Sequence, residues 1–201
     1  MSDSALVSLP PPRLESSFSL EKALWERRSV RIFGRKPLIL VEVGQLLWAA
    51  QGFTDRRGYR AAPSAGALFP LEVYMVVGEV EGLAAGVYKY LPAKHQLRKI
   101  EDGDQRPSIS AAALGQGCIR NNAALLVFSA VFARTTSKYH ERGVRYVFME
   151  VGHAAQNVAL QAVVLGLGTV MVGAFDAQAV GRILSVPAEE EVLYLIPVGG
   201  R

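Results

Sequence analysis

From Arg145 to about Leu165 the chain keeps a helical period in which Glu150, His153, Asn157 and Gln161 form one stripe. At about 100° per residue these four fall in a narrow sector, and most of the remaining circumference is apolar. Such a helix has to be buried on more than one side. It is also a poor membrane span, because Val144 to Leu167 is interrupted by Glu150, His153, Gln156, Asn157 and Gln161.

The segments around this helix read as an irregular mixture of helices and strands. Ser19 to Arg28 places Leu20, Ala23 and Leu24 on one face, with Glu21 near the positive end of the helix dipole. A second helix is expected from about Glu42 to Gln51, stopped by Gly52. "DRRGYRAAPSAGALFP" reads as an ordered loop. "LEVYMVVG" and "GVYKYL" are β-branched and aromatic runs divided by a glycine-containing turn, the pattern of paired strands. "AALLVFSAVF" is continuously apolar, as a strand covered on both faces would be. "TVMVGAF" and "EVLYLIPVGG" are read as two further strands, with a short helix between them around Asp176 to Leu184. The architecture is α+β.

At 201 residues, without an internal repeat or linker, the expectation is one domain over 15–201 preceded by an extended arm over 1–14, where "LPPPRLE" lies. The single cysteine, Cys118, excludes an internal disulfide and a cysteine zinc site, and no signal peptide is evident. Both point to the cytoplasm. The net charge of +4 is compatible with nucleic acid, an anionic cofactor or neither.

Several familiar sites do not survive inspection. Glu150 and His153 have a metal-binding spacing, but a di-metal helix site needs a second such pair, and His95 and His140 lack one. "LGLGTVMVG" offers Gly166 and Gly168 but has Met171 in place of the third glycine, and it precedes a strand. "APSAG" around Ser64 lacks the first glycine of a nucleophile elbow. Arg56, Arg57 and Arg60 have no aromatic platform for nucleic acid and read as a solvated loop.

"WERRSVRIF" is different. Arg27, Arg28 and Arg31 surround Ser29 just past the first helix. A phosphate monoester carries close to two charges and many acceptor sites, and forked guanidiniums with a hydroxyl suit it better than lysines would.

In order along the chain, "ERRSVRIF", "LLWAAQG", "PSAGALFPLEVYMVVG", "GVYKY", "KYHERGVRYVFMEVGHAAQNVALQA", "GLGTVMVGAFD" and "LYLIPVGGR" resemble the nitroreductase superfamily, and most closely its SagB-type dehydrogenase branch. The resemblance implies a flavoprotein: a central mixed, mainly antiparallel sheet flanked by helices, in an intertwined homodimer with FMN at each of two interface sites. Carried over, it sets Arg27 and Ser29 on the FMN phosphate with Arg28 assisting, and Arg31 near the N1 and C2 carbonyl edge of the ring. Pro63, Ser64, Ala65 and Gly66 would reach the flavin from the other subunit. Gly173 and Ala174 match the turn whose backbone N–H meets flavin N5, and Arg201 is a further phosphate candidate. The polar-stripe helix would lie in the dimer core. Ala67 stands where many members carry asparagine, and Phe69 where the SagB-type branch usually has tyrosine.

By the same resemblance, Lys138 and Tyr139 are candidate catalytic residues, since SagB-type enzymes that oxidise azolines to azoles need a general base. From spacing alone they are also compatible with loop charges beside Glu141 and Arg142. Three functions follow as expectations. One is an FMN oxidoreductase that uses NAD(P)H and a small nitro, quinone or related acceptor. Another is an azoline dehydrogenase within a peptide-modification complex. The third is a flavin-binding subunit without turnover. Neither a nucleic acid nor a membrane partner is expected.

Overall fold

The computed structural model describes residues 6–201. Seven strands form one sheet: β1 (Leu6–Ser8), β2 (Leu71–Val77), β3 (Gly86–Leu91), β4 (Gln96–Asp102), β5 (Ala124–Ala130), β6 (Leu167–Thr169) and β7 (Glu191–Gly200). Their order is β1-β4-β3-β2-β5-β7-β6, and every neighbouring pair is antiparallel. The helices are α1 (Leu20–Glu26), α2 (Leu40–Gln51), α3 (Arg106–Ala112), α4 (Gly117–Arg120), α5 (Ala133–Tyr139), α6 (Glu141–Val164) and α7 (Ala177–Ile183). The α+β reading holds, and the sheet is antiparallel throughout its named strands.

Strand alternation divides the core in two. On β2, Val73, Met75 and Val77 join a cluster with Leu46, Leu47, Val151 and Val158 of α2 and α6. Tyr74 and Val76 join another cluster with Ile109, Ile119 and Val180 of α3, α4 and α7. Every residue of β5 is buried, because helices cover both faces of the sheet. That is the reason its sequence lacks the usual polar alternation.

Local signals place the helix ends. Ser19 Oγ accepts the Lys22 N–H at 3.2 Å at the start of α1, and Asp176 Oδ1 accepts the Ala179 N–H at 2.9 Å at the start of α7. Gly52 ends α2 as expected. The long helix begins earlier than its apolar pattern, at Glu141, because His140 (φ 51) breaks the chain between α5 and α6. Gly143 then allows α5 to fold back closely: a Cβ there would stand 2.9 Å from the Thr136 backbone.

Three expectations change. The strand read in "TVMVGAF" is confined to Leu167–Thr169, and beyond it only Val172 bridges Leu195. The arm over 1–14 contributes β1 on the sheet edge, opposite β4, while residues 1–5 lie outside the described residues. Lys138 and Tyr139 stand in the last turn of α5, with no loop around them. Among the described residues no helix is long and apolar enough to cross a membrane.

Candidate functional site

The singled-out residues fall into two clusters. In the first, α1 ends at Arg27, and the next residues run beside β6 and the end of β7. Ser29 forms a parallel bridge with Thr169, Val30 N–H donates to Thr169 O at 2.9 Å, and Gly34 N–H donates to Gly200 O at 2.9 Å. These approaches depend on missing side chains. A Cβ on Gly168 would stand 2.8 Å from Val30 Cβ, and one on Gly199 would stand 2.7 Å from Phe33 Cβ. The glycines of "LGLG" and "VGG" therefore serve close packing of this segment.

Arg201 Nη2 donates to Glu26 O at 3.1 Å, which brings the chain end to the C-terminus of α1. Arg27, Ser29 and Arg201 thus belong to one corner of the fold. The Arg28 guanidinium turns back on its own chain, donating to Trp25 O and Arg27 O at 2.8 Å each. No carboxylate among the described residues pairs with Arg27, Arg31 or Arg201. Arg31 borders an open depression of about 420 Å³ shared with Ile32, Gln116 and Asn121. Gln116 Nε2 also donates to Ala174 O at 2.9 Å, which ties the exposed Gly173 and Ala174 turn to the same side. Solvent-facing guanidiniums, a hydroxyl and an open backbone turn suit an anionic ligand.

The second cluster surrounds the loop from Pro63 to Phe69. Gly66, Ala67 and Phe69 have φ of 63°, 54° and 47°, left-handed conformations that cost a non-glycine residue on the order of 1–2 kcal/mol. Phe69 is held on several sides. Its N–H donates to Ser64 Oγ at 2.9 Å, its carbonyl accepts from Arg134 Nη1 at 3.1 Å, and the Arg60 guanidinium lies 4.6 Å from its ring centroid. Arg134 also pairs with Glu72 at 2.6 Å. At the turn itself, a Cβ on Gly66 would stand 2.8 Å from Tyr139 Oη and 3.2 Å from Lys138 Nζ. The loop and the Lys138–Tyr139 pair are therefore in contact within one chain. Tyr139 also packs edge-on against Tyr146, with centroids 5.2 Å apart.

Beneath this loop lies the polar stripe of α6. Glu150 is 2% exposed. Burial pushes its carboxyl up to about 7, against the opposing pull of the Ser64 hydroxyl and the Arg60 charge. Asn157 Nδ2 donates to Ala61 O at 3.2 Å, and Gln161 Oε1 accepts from Gln45 Nε2 at 3.2 Å; His153 is exposed. Most of the stripe thus fastens the loop and α2. Arg60 corrects the reading of a solvated arginine: it is half-buried and donates to Gln51 Oε1 at 2.8 Å. Arg57 pairs with Asp55 at 2.8 Å, and Arg56 is exposed. Glu150 was visible as a charge on an apolar helix, whereas nothing local to Arg60 or Arg134 distinguishes them from surface arginines.

The two clusters occupy different stretches of α6. Glu150 meets the loop, while Val164 leads into β6. At a rise of about 1.5 Å per residue these positions are roughly 21 Å apart along the helix.

A model of the nitroreductase family matches residues 24–200. The chain belongs to the nitroreductase family. Its similarity to the candidate nitroreductase MJ1384 of Methanocaldococcus jannaschii is 45% identity over 199 residues, covering 99% of this chain and 98% of that one. A solved structure of a candidate nitroreductase from Ralstonia eutropha superposes with a TM-score of 0.86 at 27% identity, covering 100% of this chain and 91% of the other. The microcin B17-processing protein McbC of Escherichia coli is 32% identical over 113 residues, which is 54% of this chain and 42% of McbC. The nitroreductase family gives the chain a general oxidoreductase function, and its members typically bind a flavin.

Proposed function

We propose that this nitroreductase-family chain is an FMN-dependent oxidoreductase of the SagB type, cytoplasmic, acting as a homodimer whose two sites each draw on both copies. The observation that carries the reading is the convergence of Arg27, Ser29 and Arg201 where α1, β6 and β7 end. The donor set fits the phosphate of FMN. When bound, FMN supplies hydride transfer at its N5.

The chain's own residues account for the rest. Arg27, Ser29 and Arg201 hold the phosphate, and Arg28 assists from the backbone, since its guanidinium is engaged with Trp25 O and Arg27 O. Arg31, on the rim of the depression beside Gln116, would supply positive charge to the ring system of the bound group. Gly173 and Ala174, tied to the same side by the Gln116 bond to Ala174 O, would offer backbone N–H groups to the bound group. The Pro63, Ser64, Ala65 and Gly66 loop stands far along α6 from its own arginine cluster, which favours its serving the flavin of the second copy. In this reading NAD(P)H is the donor and a nitro, quinone or related small molecule is the acceptor.

A second reading is favoured by the contact between Gly66 and the Lys138–Tyr139 pair together with the similarity to McbC, a peptide-processing protein. Here the substrate is an azoline within a peptide, and the chain works in a peptide-modification complex. Lys138 Nζ, or Tyr139 Oη, takes the proton from the ring carbon adjacent to the one that loses hydride.

The experiment for both is direct. Purified protein should be yellow, with about one FMN per chain, and light scattering should find a dimer wherever flavin is bound. A preparation that takes up no added FMN ends the reading, and a flavin-loaded monomer ends the shared site. Reduction by NADH or NADPH with turnover of a quinone supports the first activity; oxidation only of an azoline peptide supports the second.

A further inference from the structure

One group beneath the Pro63–Phe69 loop is chemically unusual. Glu150 is 2% exposed, and its Oε1 has no hydrogen-bond partner among the described residues. A carboxyl buried in this way destabilises the fold, so packing does not explain it. Its neighbour Ser64 does. Ser64 opens the turn that packs on α6, its hydroxyl acts on the Glu150 carboxyl, and its Oγ accepts the Phe69 N–H at 2.9 Å. A hydroxyl that accepts one bond still has its own hydrogen to donate. Donated to Glu150, that hydrogen fixes the hydroxyl rotor and turns a lone pair toward Phe69.

The backbone between Ser64 and Phe69 needs such a hold. It is left-handed at Gly66, Ala67 and Phe69, and conformations of this kind persist only where the surroundings over-determine them. The tolerance is small, since a Cβ on Gly66 would stand 2.8 Å from Tyr139 Oη. Arg60 on the Phe69 ring and Arg134 on the Phe69 carbonyl restrain the far end of the turn. Glu72 and Tyr90 flank Arg60, and Tyr146 and His153 are the titratable groups nearest Glu150 along α6.

We propose that Glu150 is a positioning residue: through Ser64 it fixes the turn of residues 66–69 and so the approach of that turn to Lys138 and Tyr139. The inference rests on the reading that this turn and this pair belong to the site.

The test compares wild type with Glu150→Gln, Glu150→Leu, Ser64→Ala and the Ser64→Ala/Glu150→Leu double variant. Amide hydrogen exchange is followed in peptides covering 64–70 and in β5, alongside FMN content and steady-state kinetics. Glutamine keeps an acceptor for Ser64, so Glu150→Gln should exchange within about twofold of wild type in the loop. Glu150→Leu and Ser64→Ala should each speed loop exchange by about tenfold, with no further gain in the double variant and no change in β5. Glu150→Leu should also lower kcat while retaining FMN and leaving KM for the donor nearly unchanged. Unaltered loop exchange in Glu150→Leu overturns the proposal. So does equal acceleration in Glu150→Gln, or acceleration that extends to β5. The exchange comparison requires no flavin, so a chain that binds none would end the FMN reading while these data still decided the role of Glu150.

Discussion

At the corner that carries Arg27, Ser29 and Arg201, the geometry is set by backbone against backbone: Val30 on Thr169, Gly34 on Gly200, with glycines where side chains would collide. Around Gly66 the geometry is set by side chains: Ser64 on Phe69, Arg134 on Phe69 and Glu72, Arg60 on the Phe69 ring. The first arrangement leaves its guanidiniums facing solvent, and a charged ligand can complete it. In the second, polar groups are buried and strained backbone is held in one conformation. If the first region binds the anion and the second carries the chemistry, as proposed, the difference teaches that the two tasks place different demands on a site. An anion needs donors at the surface of a firm frame, whereas a reacting centre needs a fixed approach between a few groups.

The largest expected effect falls on the second region. If the azoline reading is right, Lys138→Ala should lower oxidation of an azoline peptide by about 10²- to 10⁴-fold, the range for loss of a general base, with FMN content unchanged. Loss of FMN in that variant would break the division between the regions by making Lys138 structural.

The first region is probed by Arg27→Ala, which should weaken FMN binding by about 1.5–3 kcal/mol in a fluorescence titration, the range for a hydrogen bond to a charged group. Equal weakening in Arg56→Ala, an exposed loop arginine, would mean that the anion is held elsewhere. Gly168→Ala tests the frame itself. Its Cβ would meet Val30 at 2.8 Å, so urea denaturation should register about 1–3 kcal/mol of overpacking, accompanied by reduced FMN content because Ser29 moves with Val30.

A smaller effect sharpens the contrast through pH. Burial raises the Glu150 carboxyl from 4.5 to about 7, so between those values the folded chain holds a proton that the unfolded chain has released. Stability should therefore be highest below about pH 4.5 as far as this group is concerned, fall as pH rises to about 7, and change little above it. After allowance for solvent screening the loss is roughly 2 kcal/mol. Glu150→Gln should flatten that slope in denaturation curves at pH 5, 6, 7 and 8. A slope identical to wild type would mean that Glu150 ionises freely.

Much of this was legible in the residues. The apolar run of β5, the helices expected from Ser19 and around Asp176, the stop at Gly52 and the arginine–serine segment each carry a local physical signal, and the structure has an element or a cluster at each. Other features left no such signal. β4 pairs with β3 through a sequence, "QLRKIED", with too little apolar alternation to declare a strand, and α5 is only seven residues long, with Thr135, Thr136 and Ser137 at its centre, and is stabilised by folding back on α6. Lys138 and Tyr139 consequently looked like loop residues.

The sequence by itself determined the chemistry available: how many guanidiniums stand near Ser29, which helix carries a polar stripe among apolar residues, and where glycine permits close approach. These follow from composition and period, which are local. The sequence did not settle which face of that helix is covered: in the described chain α6 buries Glu150 and leaves Val144, Phe148 and Met149 exposed. Only the tertiary structure decided which groups meet. Arg60, Arg56 and Arg57 lie within five positions of one another, and the fold buries only Arg60 appreciably, setting it against Phe69 and Gln51. Glu150 is separated from Ser64 by more than eighty residues of chain, and they become neighbours because α6 packs beneath the loop. Burial and partnership are properties of the packed chain, and the electrostatics of Glu150 exist only once water has been excluded around it.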